Sequence, residues 1–380
     1  NSSNFFSVDD DTSHLLATKK KPTYPINPFL TEYLVRNGRE MDLPVTYERL
    51  LQFSEAAPLY DLSGEDSLWL STMYPADENE RLRQDLTRIY AILKAGGNLA
   101  VMEHLYCDRI DFCTFGNSQP FRIRIVNSLN DNQDYYYIKR ADASRIYGLE
   151  LEDILSPNRI HFLTDHDTLI EEHIIGIPGD VFIEEWMDNR MVKTVRLAKE
   201  LVKFNQRCFV RLQGDMRSYN FVVDLTPDFE EAQIRIRSMD FDQQSYSGRL
   251  KYYLPQFFKE NLPFVQYTTN LINPVTARQY ELEEHAGIYR RMRISSDRYQ
   301  NLLQCMKKDV LSPQNKFEQL REELAEYHKN SSFQKCESMG GLLEVSLTHM
   351  CTTLEKELAR QRRTQAPFPF DSQSFLNLDS

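Results

Sequence analysis

Residues 211–220, "RLQGDMRSYN", set a carboxylate, Asp215, five residues ahead of a carboxamide, Asn220, and the apolar run "FVVDL" (221–225) follows at once. Twenty residues beyond Asn220 a second acidic step, "RIRSMDFDQQ" (235–244), places Asp240 and Asp242 on either side of Phe241. Carboxylate and carboxamide oxygens are the ligands that a hard divalent cation such as Mg²⁺ prefers. A further carboxylate near an acceptor hydroxyl can orient it and accept its proton. Together these groups could hold a metal ion and move a proton.

Such groups act only if regular elements hold them. Upstream of the acidic loop, 106–187 has the texture of a small, mostly antiparallel sheet. "DFCTFG" and "PFRIRIVNS" alternate about a "GNSQ" turn, "DYYYIKRA" (134–141) reads as a further strand, and "DASRIYGLELEDIL" (142–155) as a short helix. "RIHFL" and "DVFIEEWM" (180–187) complete the expected sheet. From 188 the pattern turns helical: "NRMVKTVRLAKELVKFNQR" (189–207) carries Met191, Val195, Ala198 and Val202 at helical spacing. Three later stretches, ending with 341–363, continue it, and the last of these is expected to pack within the chain.

Between 26 and 105 the reading is also mainly helical. Thr46 can cap a helix in "LPVTYERLLQFSEA". The stretch 75–97 puts Leu82, Leu86, Ile89 and Leu93 on one face and stops at Gly96 and Gly97. Residues 1–25 and 366–380 read as flexible tails, which leaves a helical extension (26–105), a sheet region (106–187) and a helical region (188–365).

This order and these motifs resemble the protein-kinase-like phosphotransferases, over roughly 110–260 and in pattern rather than close identity. Family catalytic loops read H-[RG]-D-x-x-x-x-N; here "QGDMRSYN" keeps Asp215 and Asn220, with Gln213 where His is usual. The resemblance implies a two-lobed α+β fold, with a small antiparallel-sheet N-lobe, a mainly helical C-lobe and the helical N-terminal extension. It implies ATP and Mg²⁺ as cofactors. Asp215 would be the catalytic base, and Asn220 with Asp240 of "DFD" the metal ligands. Lys139 in "YYYIKRA" would neutralise the inner phosphates and take part in catalysis, with Glu150 or Glu152 as its carboxylate partner. Glu184 to Met187 would form a hinge strand beside the adenine, and Gly116 the loop over the phosphates. Asp242 would cap the loop or stand behind the metal ligands.

The sequence departs from that pattern in four places. Only Gly116 stands where the family often has two or three glycines, although Asn117 and Ser118 could let the backbone approach phosphates. Gln213 replaces His, the interval from Asn220 to Asp240 is long and includes "LTPDFEEA", and no A-P-E motif follows. These features point to the small-molecule or atypical branches. The expected activity is ATP-dependent transfer of the γ-phosphate to a hydroxyl of a small molecule or protein. The alternatives are an inactive nucleotide-binding or scaffold protein, and a nucleotidyltransferase that moves AMP.

Composition bounds the partners. With 380 residues, 41% of them hydrophobic and 12% aromatic, the chain can bury substantial cores in two or three units. A net charge of −11 opposes nonspecific nucleic-acid binding, which depends on neutralising phosphates. No apolar run approaches a membrane-spanning length, so no membrane partner is expected. Six scattered cysteines without metal spacing read as reduced, buried thiols, and the expected location is the cytoplasm. "TDHDTLIEEH" (164–173) gathers His166 and His173 among acids, but its spacing fits a charged hairpin turn better than a metal site.

Overall fold

A computed structural model describes residues 21–61, 64–95, 103–115, 118–189, 192, 195–226 and 233–364. In chain order the elements begin with α1 (Pro28–Arg36), α2 (Tyr47–Leu50), β1 (Glu55–Tyr60), β2 (Asp66–Met73) and α3 (Ala76–Ala95). Next come β3 (Leu105–Cys113), β4 (Phe121–Asn127), β5 (Gln133–Arg140) and α4 (Ala143–Leu155). After them follow β6 (Phe162–Asp165), β7 (Thr168–Glu172), β8 (Ile177–Pro178), α5 (Gly179–Glu185) and α6 (Val195–Val210). The hairpin β9 (Phe221–Thr226) and β10 (Gln233–Ser238) precedes five helices: α7 (Leu262–Leu271), α8 (Pro274–Ile294), α9 (Ser296–Lys308), α10 (Gln314–His328) and α11 (Met339–Thr364). The fold is α+β, with its large antiparallel sheet in the N-terminal region and helices dominating the C-terminal part.

The chain forms two compact units. One comprises 21–26, 38–143 and 161–173; the other comprises 27–37, 144–160 and the chain from 174 onward.

In the first unit a seven-stranded antiparallel sheet runs in the order β1-β2-β3-β4-β5-β7-β6. Strand β4 shows why: Phe121, Ile123 and Ile125 are buried on one face and Arg122 and Arg124 lie on the other, because successive side chains of a strand alternate. The apolar face packs with Leu82, Leu86, Ile89 and Leu93 of α3, each such side chain contributing about 1.5–3 kcal/mol on burial. On the polar face Arg109 and Arg122 both bind the buried Asp111, and Arg122 lies 4.3 Å from the Trp69 ring centroid.

Two sequence expectations change here. The region 26–105 is not wholly helical, because β1 and β2 join the sheet. Pro58 within "EAAPLY" argues against an inner strand, but β1 is the sheet edge, where a missing N–H breaks no ladder. Residues 180–187 are not a strand: α5 covers most of them. Phe182 and Trp186, four apart, face the same core as Ile183 and Met187, which is a helical and not a two-residue period.

In the second unit α6 packs Leu197, Leu201, Phe204 and Cys208 against Phe221, Val223 and Ile236 of the β9–β10 hairpin. Val195 at its start is exposed, and Met191 lies outside the described residues. Helix α11 buries Leu343, Leu347, Met350 and Leu354 within the chain, as expected. All six cysteines are free, Cys351 half-buried and the others buried. Among the described residues no helix is long and apolar enough to cross a membrane.

Candidate functional site

The β9–β10 register assembles the acidic site in the second unit. Phe221 pairs with Ser238, so the residues just outside the ladder, Asn220 and Met239, also meet: Met239 N donates to Asn220 O at 3.0 Å. The loop after α6 is pinned to the same segment by an isolated antiparallel bridge between Gln213 and Gln244. Gly214 N donates to Gln243 O at 3.3 Å, and a Cβ on Gly214 would stand 2.9 Å from that oxygen, so only glycine fits.

Within this frame Asn220 Nδ2 donates to the main-chain oxygen of Asp215 at 2.7 Å. That bond fixes the amide and turns its oxygen away from Asp215. Gln213 Nε2 donates to the main-chain oxygen of Asp240 at 2.9 Å. Asp215 itself has φ +60°, a left-handed conformation that costs energy for a non-glycine residue and recurs at functional sites. Its Oδ1 accepts from Arg217 Nε at 2.8 Å, and Arg217 also binds Glu260 at 2.8 Å. Burial raises the Asp215 pKa above its ordinary value; Arg217 pulls it down, and the charges of Asp240 and Glu260 push it up. A carboxylate held by one cation and made more basic by burial is equipped to accept a proton.

The second carboxylate is held differently. Arg145 of α4 is 2% exposed, and its Nη1 donates to Asp240 Oδ1 and to Asp242 Oδ1, both at 2.9 Å. Asp242 N also donates to Asp240 Oδ1 at 2.9 Å. Both acids thus point to one side, as the alternation of "DFD" suggests, while Phe241 is fully buried. Of the expected metal ligands, Asn220 retains a carboxamide oxygen directed away from its own hydrogen bond. Asp240 shares its Oδ1 with a guanidinium. A divalent ion on the same oxygen would repel that buried positive charge at short range. With Arg145 in place the Asp240 Oδ1 position does not fit Mg²⁺ as the resemblance implies.

The remaining expected residues fall elsewhere. In the first unit Lys139 Nζ donates to Glu171 Oε2 at 2.8 Å. Glu171 on β7 pairs across the ladder with Tyr137, which puts it on the face that Lys139 shares. The partners expected from the sequence, Glu150 and Glu152, belong to the second unit. Glu150 is fully buried, accepting from Tyr33 and from Arg298 at 2.7 Å. Glu152 binds Arg211 at 2.5 Å. Burial works against the Glu152 charge, but Arg211 and the Ser156 hydroxyl outweigh it and hold its pKa below the ordinary value. Glu184 is exposed on α5 and Met187 packs against the core, so neither forms a hinge strand. Gly116 lies outside the described residues. His166 sits at the β6–β7 turn, as read from the sequence, with its Nδ1 2.7 Å from Asp165 Oδ1.

Three residues of these sites were not read from the sequence. Arg217 was legible as a cation two positions after Asp215. Glu171 was legible only through strand register. Nothing local marks Arg145, which lies 95 residues before Asp240.

No family model and no curated protein matches the chain. Among solved structures it is similar to the Neurospora crassa PAN3 pseudokinase, at 9% identity over 76% of this chain and 74% of that chain, with a TM-score of 0.19. A likeness that low carries no weight for fold or function beside the geometry.

Proposed function

We propose that the chain is a phosphotransferase of the protein-kinase-like class that takes ATP and transfers its γ-phosphoryl group to a hydroxyl of a small molecule or protein. The observation that carries this reading is the Asn220 amide bonded to the Asp215 main chain. It joins the two motif residues in one rigid loop beside Asp240. In the proposed step the acceptor oxygen bonds to the γ-phosphorus, the bond to the β-phosphate oxygen breaks, and the acceptor proton passes to Asp215. A second reading, a nucleotide-binding or scaffold protein without turnover, is favoured by Arg145 on Asp240 and Asp242.

ATP labelled on either the α- or the γ-phosphate, incubated with the protein and cell extract, separates these readings. Transfer of the γ-label supports the phosphotransferase. Nucleotide binding with no label transferred supports the second reading. Transfer of the α-label overturns both in favour of AMP transfer.

A further inference from the structure

We propose that Arg145 takes the place of a divalent cation at the acidic step, so that the protein binds nucleotide without Mg²⁺; this rests on the nucleotide-binding reading above. The side chain is built into the site. It contacts both carboxylates from Nη1 and reaches Met239 O from Nη2 at 3.4 Å. One turn further along α4, Gly148 admits Phe241, the residue between the two acids. A Cβ there would stand 2.9 Å from Phe241 Cβ and 3.2 Å from Gln244 Cβ. The helix is therefore seated directly on the "DFD" step, and the guanidinium is delivered by a rigid element. A flexible surface residue could swing away; this one is enclosed.

Two bare aspartates would repel a triphosphate and would have to recruit a cation before it could approach. Here one positive charge is a permanent part of the chain. Guanidinium is always charged and forms directional, charge-assisted hydrogen bonds to carboxylates. To admit a metal at Asp240 Oδ1, the protein would have to displace the Arg145 Nη1 bond from that oxygen and set a second positive charge beside a buried guanidinium, which is strongly unfavourable.

The test is calorimetric titration of the full wild-type chain with ATP, once in excess Mg²⁺ and once in EDTA. The dissociation constants are expected to agree within about threefold, less than the tenfold that marks 1.4 kcal/mol. Binding that falls by more than about tenfold in EDTA overturns the proposal and leaves the nucleotide-binding reading standing. Absence of binding in both conditions overturns both. Arg145→Gln, checked for folding by circular dichroism, is expected to make binding at least about tenfold stronger with Mg²⁺ than with EDTA, and Arg145→Lys to keep the wild-type indifference. A folded Arg145→Gln that remains indifferent to Mg²⁺ also counts against the proposal. If that variant does not fold, the wild-type comparison alone decides.

Discussion

Gln213 donates to the main-chain oxygen of Asp240 across 27 residues of sequence, and so joins the loop that carries Asp215 to the step that carries both further aspartates. The bond uses only the donor half of the amide. Gln213 is 1% exposed, so here the position supplies a buried donor. Gln213→Leu is expected to lower unfolding free energy by about 1 kcal/mol, read as a shift in urea midpoint. Gln213→His should fall between wild type and Leu. A leucine variant as stable as wild type would deny the bond any net value.

Asp215→Asn should separate chemistry from stability. Loss of the proposed base is expected to slow turnover by roughly 10²–10⁴ while ATP still binds. Because the Asp215 pKa is raised in the fold, its contribution to stability is present below the unfolded pKa and is lost as pH rises through the folded one. The asparagine variant should therefore be at least as stable as wild type near neutral pH, and this advantage should shrink on acidification through the carboxylate range. Urea unfolding as a function of pH checks the sign. An unchanged rate in a folded variant would remove Asp215 from the mechanism.

The Lys139 ammonium is buried against Glu171, itself 4% exposed, so Lys139→Ala strips a buried carboxylate of this cation at a cost of about 3–5 kcal/mol. Lys139→Met with Glu171→Gln should recover much of that loss. Denaturant unfolding of Lys139→Met, Glu171→Gln and the double variant completes the cycle. Additive effects would show that the pair is not coupled.

Glu152 has its pKa lowered in the fold, so its contribution is present above the unfolded pKa and is lost as pH falls through the folded value. Glu152→Gln leaves Arg211, 1% exposed, without its carboxylate and should destabilise by about 3–5 kcal/mol near neutral pH. The deficit should narrow in strong acid. Loss of much less than 1 kcal/mol would mean that water or another group takes over the guanidinium.

His328 adds to the same loss of stability in acid. It lies between the rings of Phe209 and Phe333, 4.5 Å from the His349 ring. Burial, and then His349, lower its pKa to about 4. The neutral ring is the one the fold accepts, so stability is full above the ordinary value of 6.5 and is lost as pH falls from there toward about 4. His328→Phe should flatten that part of the stability profile. An equally steep profile in the variant would assign the acid sensitivity to another group, such as His285, whose burial also lowers its pKa to about 4.

What could be read in advance follows physical range. Strands β3 to β5 were legible because their alternation is local and their inward faces are strongly apolar. Helix α3 was legible because Leu82, Leu86, Ile89 and Leu93 recur at the helical period. Strand β1 was hidden by Pro58, whose meaning depends on whether the strand is an edge. The run "VFIEEWM" satisfies both periods, and only packing against the hairpin core selects the helix. At the site, Asp215, Asn220 and Asp240 were legible because their spacing is short or motif-like. Ion pairs are set by tertiary contact, so the choice of Glu171 over Glu150 or Glu152 for Lys139, and the placing of Arg145, left no local trace.

The threading of the chain between its two units has a consequence for biosynthesis. The sheet of the first unit has all its strands once residue 172 has been made. The second unit owns segments 27–37 and 144–160, which emerge early and must wait for the rest of their unit. Glu150 is one case: Arg298, which meets it inside the fold, lies 148 residues later. At a synthesis rate of about 5–20 residues per second that is a delay of roughly 7–30 s. Through that interval a carboxylate destined for complete burial stays in water, and helix α4 has no finished unit to join. A ribosome that pauses between those two codons prolongs the period in which this helix's apolar face is open to chaperones or to neighbouring nascent chains.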